Sequence, residues 1–295
     1  MKNTIFTGAG VAIITPFNQD GSVNYDSLKD ILEDQIANGT DAIVITGTTG
    51  ESATLSEQEH IDVIKYTVDV VNHRIPVIAG TGSNETSIAL SLSQRAEAAG
   101  ADALLIVTPY YNKTSQRGLI QHYTYIADRV NLSIVIYNVP SRTGVNVLPE
   151  TYKVLSEHKN IVAAKEASGN LSQIAQTIAL CGDNLDIYSG NDDQIVPIMS
   201  LGGKGVISVL SNIAPKVAHD IPSLYLEGKV KESAKMQLDY LELCNAMFMD
   251  VNPIPVKVAM NMMGIDAGPL RMPLCEMDDA HNEKLREVLK KYNLI

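Results

Sequence analysis

Cysteine is scarce in this chain, and its placement is informative. The three cysteines, Cys181, Cys244 and Cys275, are odd in number and far apart. That excludes a disulfide framework and a cysteine-rich zinc site, and it fits a reducing compartment. Long apolar runs are also missing. None approaches the ~20 residues needed to span a bilayer, so no membrane segment is expected. The N-terminal MKNTIFTGAGVAIITPF has one lysine and an apolar stretch broken by Thr and Pro. It is too weak for a signal peptide, and a cytoplasmic location is the expectation. Basic charge is in deficit: the formal net charge is -11, which argues against a nucleic-acid surface, where Lys and Arg would have to dominate. The six histidines show no H-E-x-x-H or H-x-H spacing, so no metal site is expected.

What remains is a 295-residue chain, 45% hydrophobic, large enough for one barrel-type domain. Eight short Val/Ile-rich runs recur along it: 10–16, 41–46, 75–80, 101–109, 132–138, 160–166, 185–190 and 204–210. Each is nearly continuous rather than alternating, and each ends in small or turn-forming residues. Such runs predict parallel strands covered on both faces. The segments between them carry helical signatures. Ser56 and Glu59 make a capping box ahead of Ile61, Ile64, Val68 and Val71, while Leu28, Ile31, Leu32 and Ile36 form an apolar face that Gly39 would end. Eight strand–helix units over residues 1–227 predict an α/β fold, a (β/α)₈ TIM barrel carrying the active site, with a doubly wound open sheet as its rival. Residues 228–295 show helical periodicity without a strand and read as a C-terminal helical domain.

Barrel active sites lie at the C-terminal ends of the strands. There this sequence delivers GTTGE (47–51), TPYYN (108–112), YNVP (137–140) with Arg142 close behind, KE (165–166) and SGND (189–192). Lys165 is the one amine among the strand-end residues. Its unperturbed pKa of about 10.4 makes it a poor nucleophile, so a Schiff-base role demands desolvation or a nearby cation. The alternative is a structural lysine paired with a carboxylate such as Glu166 or Glu51. Tyr137 closes the neighbouring run at the same level, where a phenol can shuttle protons; read singly, it is a packed aromatic with its hydroxyl bonded. Thr48 and Thr49 offer hydroxyls and backbone N–H groups to a carboxylate, although GTTGE could be a mere tight turn and lacks the G-K-[ST] of a P-loop. Arg142 is a natural bidentate carboxylate partner, or else a surface loop arginine.

With these residues laid out, the chain resembles the dihydrodipicolinate synthase family of the class I pyruvate-dependent aldolases. The stretches that carry the resemblance are GTTGESATL, PVIAGTGSN, VTPYYNK, YNVPSRTG, AAKEASGN, SGND, GVISV, NPIPVK and LRMPL, from residue 10 to about 275. The resemblance implies a lyase that condenses pyruvate with L-aspartate 4-semialdehyde on the route to diaminopimelate and lysine. It implies Lys165 as the imine-forming residue, and Tyr137, Thr48 and Tyr111 as a proton relay, with Tyr111 reaching into a neighbouring subunit's site. Thr49 and the backbone at Gly190 and Ile207 would hold pyruvate, and Arg142 the semialdehyde carboxylate. No metal or organic cofactor is implied, because the imine is the electron sink. The implied partner is a second copy of the chain, in a homotetramer built as a dimer of dimers. The family's lysine-feedback site maps to Ser52, Ala53, His60, Asn84 and Tyr110. Glu57 stands where lysine-sensitive members have histidine, and Ile88 where they have glutamate, so weak or absent inhibition by L-lysine is expected. The rival readings are an N-acetylneuraminate lyase or 2-keto-3-deoxy sugar acid aldolase, and a non-catalytic binder that kept the barrel.

Overall fold

The computed structural model describes residues 2–295. Eight strands close into a parallel barrel in sequence order: β1 (Gly8–Ala12), β2 (Ala42–Ile45), β3 (Val77–Gly80), β4 (Ala103–Val107), β5 (Ser133–Asn138), β6 (Ile161–Glu166), β7 (Asp186–Ser189) and β8 (Gly205–Ser208). Closure is made by β1 on β8, in the register Gly8↔Gly205 to Val11↔Ser208, and this rules out the open doubly wound sheet. Seven strands fall inside the apolar runs. β1 starts two residues earlier than its run because its opening Gly-Ala-Gly has little strand propensity. Closure itself requires that composition: a Cβ on Gly205 would stand 1.8 Å from the Gly8 carbonyl oxygen. The two backbones approach too closely for any side chain.

The helical layer comprises α1 (Tyr25–Ala37), α2 (Glu57–Val71), α3 (Thr86–Ala98), α4 (Gln116–Ala127), the short α5 (Pro140–Thr143), α6 (Pro149–Leu155), α7 (Leu171–Cys181), α8 (Ile195–Ser200) and α9 (Pro215–Leu226). α2 begins with the expected reciprocal capping box of Ser56 and Glu59. After the Asn38 cap of α1, Gly39 takes a φ of 87°, a left-handed position that glycine occupies without penalty. Four further helices follow: α10 (Val230–Asp239), α11 (Leu241–Ala246), α12 (Ile254–Met262) and α13 (Asp279–Lys291). Their buried Leu243, Met247, Ile254, Val256 and Leu285 join the same apolar cluster as Leu28 and Ile64. The C-terminal helices therefore complete the barrel's outer core.

The strands bury both faces, and successive side chains alternate between two cores. Ala12, Val44, Leu105, Tyr137, Ala163 and Ile207 fill the barrel interior, whereas Ile106, Ile136 and Ala164 face the helices. Among the described residues no helix is long and apolar enough to cross a membrane.

Candidate active site

Strand parity decides the fate of Lys165. It follows Ala163 by two positions, so it points into the barrel, while its neighbour Glu166 points into the helical layer. There Glu166 accepts hydrogen bonds from Tyr152 Oη at 2.5 Å, Asn138 Nδ2 at 3.0 Å and Ser168 Oγ at 2.8 Å. Burial raises the Glu166 carboxyl above its ordinary range, and those three donors oppose the rise. Glu51, the other possible partner, pairs instead with Lys257 Nζ at 2.8 Å. The two carboxylates offered by the sequence as partners for Lys165 are thus engaged elsewhere.

Lys165 is 5% exposed, and its register partner across β5 is Tyr137. Its Nζ stands 4.4 Å from the centroid of the Tyr137 ring. Burial is the main force on the amine and pulls its pKa from 10.5 to about 8; Arg142 pushes the same way, and the Asp192 charge opposes them. The Tyr137 phenol is pushed up by burial, and Arg142 and the neighbouring Thr48 side chain hold it back. An amine with this pKa has a usable neutral fraction near pH 7, and a protonated phenol beside it can donate to a developing oxyanion.

Both groups line a cavity of about 370 Å³ at the barrel mouth, together with Thr48, Thr49, Arg142 and Gly190. The Gly47–Glu51 turn places the threonines. Thr46 and Glu51 have φ values of 54° and 53°, and such left-handed non-glycine residues persist only where the surroundings hold them. Here Glu51 is held by the buried Lys257 and by the Arg271 backbone N–H at 3.0 Å. Thr49 Oγ1 accepts from Asn252 Nδ2 at 3.0 Å. Arg142, on α5, donates to the Asn252 carbonyl at 3.1 Å.

Two expected site residues stand elsewhere. Ile207 is fully buried in β8, and Val209, two positions on, forms the cavity wall. Tyr111 lies outside the cavity altogether: it is 92% exposed and sits at a φ of 68°. Of the residues matched to a feedback site, Ser52, Ala53, His60 and Tyr110 line an adjoining cavity of about 500 Å³, along with Glu57 and Ile88, and Thr48, Arg142 and Asn252 line both cavities. Asn84 is not part of that wall; its carbonyl accepts from Asn112 Nδ2 at 2.9 Å.

Sequence reasoning missed Asp192 and the segment 248–252. Asp192 stands within electrostatic reach of the amine, and its Oδ2 accepts from the backbone N–H groups of Val209 and Leu210 at 3.0 and 2.9 Å. Its place in the strand-end SGND run was the available signal. Phe248, Asp250, Val251 and Asn252 reach the cavity from the link between α11 and α12. Only the NPIPVK stretch, which begins at Asn252, hinted at them.

The profile of the dihydrodipicolinate synthetase family matches residues 5–292. A 4-hydroxy-tetrahydrodipicolinate synthase from Clostridium acetobutylicum is 58% identical over 292 residues, 99% of each chain. Among solved structures, a dihydrodipicolinate synthase from Acinetobacter baumannii complexed with pyruvate has a TM-score of 0.96 at 43% identity, with 99% of this chain and 100% of that one covered. The lysine-bound enzyme from Cyanidioschyzon merolae has a TM-score of 0.96 at 36% identity, over 99% and 100% of the two chains.

Proposed function

The chain belongs to the dihydrodipicolinate synthetase family, and from that membership and the geometry of the rim we propose that it condenses pyruvate with L-aspartate 4-semialdehyde through an imine on Lys165. The observation that carries this reading is the Lys165 nitrogen: buried, in no ion pair among the described residues, and beside a phenol. Neutral Nζ attacks the keto carbon of pyruvate, the carbinolamine loses water, and the imine forms. Loss of a methyl proton then gives the enamine, whose carbon attacks the aldehyde. Tyr137 and Thr48 carry protons at these steps. Thr49 and the backbone at Gly190 hold the pyruvate carboxylate. Arg142 takes the semialdehyde carboxylate, for which its planar fork is suited. The imine serves as the electron sink, so the residues need no further cofactor for these steps.

Tyr111 completes the relay by entering the site of a second subunit. Its exposure and left-handed backbone support that role, because a bulky aromatic held in a disfavoured conformation and presented outward has no partner within its own chain. The chain then works as a homo-oligomer, a dimer of dimers. The relatives bear the synthase name, which favours this substrate pair over sialic or sugar acids. Incubation with pyruvate and borohydride should leave a stable adduct on Lys165, and L-aspartate 4-semialdehyde should be consumed only when pyruvate is present. No adduct by mass spectrometry, or cleavage of N-acetylneuraminate in place of the condensation, would remove the reading.

The same family membership raises feedback control. Ile88 is 40% exposed on the wall of the second cavity, where a glutamate would pair with a bound lysine ammonium. Lacking that charged hydrogen bond weakens lysine binding by about 1.5–3 kcal/mol. Glu57 does not simply replace it, since its carboxylate is engaged by Arg95 at 3.4 Å. L-Lysine should therefore inhibit weakly or not at all, and half-inhibition below 1 mM, a binding free energy of roughly 4 kcal/mol or more, would contradict this.

A further inference from the structure

The cavity around Lys165 holds a cation and an anion that do not neutralise each other. Arg142 and Asp250 both line its wall, yet among the described residues neither belongs to an ion pair. Each is instead fixed through backbone. Arg142 donates to the Asn252 carbonyl, and Asp250 Oδ1 accepts from the adjacent Val251 N–H at 2.6 Å. Asp250 is half-buried and, among the described residues, is the one carboxylate in that wall. Opposite charges free to move would collapse into a surface pair. Two that line one cavity of about 370 Å³ and stay unpaired suit a ligand carrying both signs.

We propose that Asp250 binds the α-ammonium group of the amino-acid aldehyde while Arg142 binds its α-carboxylate, so that the rim recognises the second substrate as a zwitterion. The assignment rests on the condensation proposed above. It gives the C-terminal helical segment a chemical role: the barrel supplies the amine that activates the keto acid, and residues 248–252 help select its partner. It also predicts a basis for discrimination, since an aldehyde acid without the amino group would use Arg142 and leave Asp250 unused.

The test is Asp250→Asn, which keeps size and hydrogen bonding but removes the charge. The KM for L-aspartate 4-semialdehyde should rise about 10- to 100-fold, the scale of a charge-assisted hydrogen bond. The KM for pyruvate, the extent of the borohydride-trapped adduct and inhibition by succinate semialdehyde, which lacks the ammonium, should stay as in the parent. Asp250→Glu should recover most of the loss. An unchanged KM for the amino aldehyde overturns the assignment. So does an equal weakening of the amino aldehyde and succinate semialdehyde, because Asp250 would then only shape the wall. If the parent chain itself forms no pyruvate adduct, the condensation reading falls and this assignment with it; a normal adduct with an unchanged KM removes the assignment alone.

Discussion

Lys165→Ala is expected to lower kcat/KM by at least about 10⁴-fold, because the residue supplies the covalent nucleophile and no other amine among the described residues shares the cavity. The borohydride-trapped adduct should vanish with it. Activity of the variant near the parental level would end the imine mechanism. The parent should also show a pH signature. Imine formation needs the neutral amine, so its single-turnover rate should climb through about 8 and level off above it. Stability carries the opposite face of the same displacement. The folded chain holds the Lys165 proton less tightly than the unfolded chain does, so the folded state is penalised at every pH below about 8 and recovers as pH rises toward 10.5. The gap corresponds to roughly 3 kcal/mol. Lys165→Met fills the space without an amine, so it should be inactive and more stable than the parent at pH 7. That gain should shrink as pH approaches 10.5. A denaturation midpoint at pH 7 equal to or below the parent's would contradict an amine whose proton is loosened by burial. Part of the fold's stability is given up here to hold a nucleophile.

The second large effect concerns a lysine outside the cavity. Lys257 and Glu51 form an ion pair whose side chains are 1% and 0% exposed. Lys257 Nζ also donates to the carbonyls of Thr15 at 3.1 Å and Pro269 at 2.6 Å. Burial pulls the Lys257 amine down, and the Glu51 charge opposes that pull. Lys257→Met would strand a buried carboxylate, and breaking one side of such a pair typically costs about 3–5 kcal/mol. A loss of that size in denaturant titration is the expected result. Adding Glu51→Gln should recover most of it, because the uncompensated charge is then gone while the acceptor for the Arg271 N–H remains. Both variants should also lose turnover, since the pair anchors the turn that presents Thr48 and Thr49. If Lys257→Met changes the midpoint by less than about 1 kcal/mol, within the range of an exposed pair, the buried-pair argument fails.

The fold was legible because the evidence for it is local and repeated. Continuous Val/Ile runs alternating with capped amphipathic helices leave few architectures, and the strand ends that carry polar groups come out together. Lys165, Tyr137, Thr48, Thr49, Arg142 and Gly190 were all named from such positions, and one cavity holds all six. The same composition concealed other things. A strand buried on both faces shows no in–out alternation, so AAKE did not reveal whether Lys165 or Glu166 turned inward. Nor could spacing bring in Asp250 and Asn252, which follow the barrel's last strand by some 40 residues and reach the mouth only after the chain has folded back.

The amino-acid order by itself determined the eight-fold strand–helix rhythm, the helix caps and the presence of one amine among polar strand ends, since each depends on neighbours a few residues apart. Tertiary structure alone decided that this amine would form no direct ion pair among the described residues, with Asp192 acting on it only from a distance. That outcome required closure of β1 on β8 and capture of Glu51 by Lys257, 206 positions away. Desolvation and charge pairing depend on distances in space, and sequence separation does not measure them.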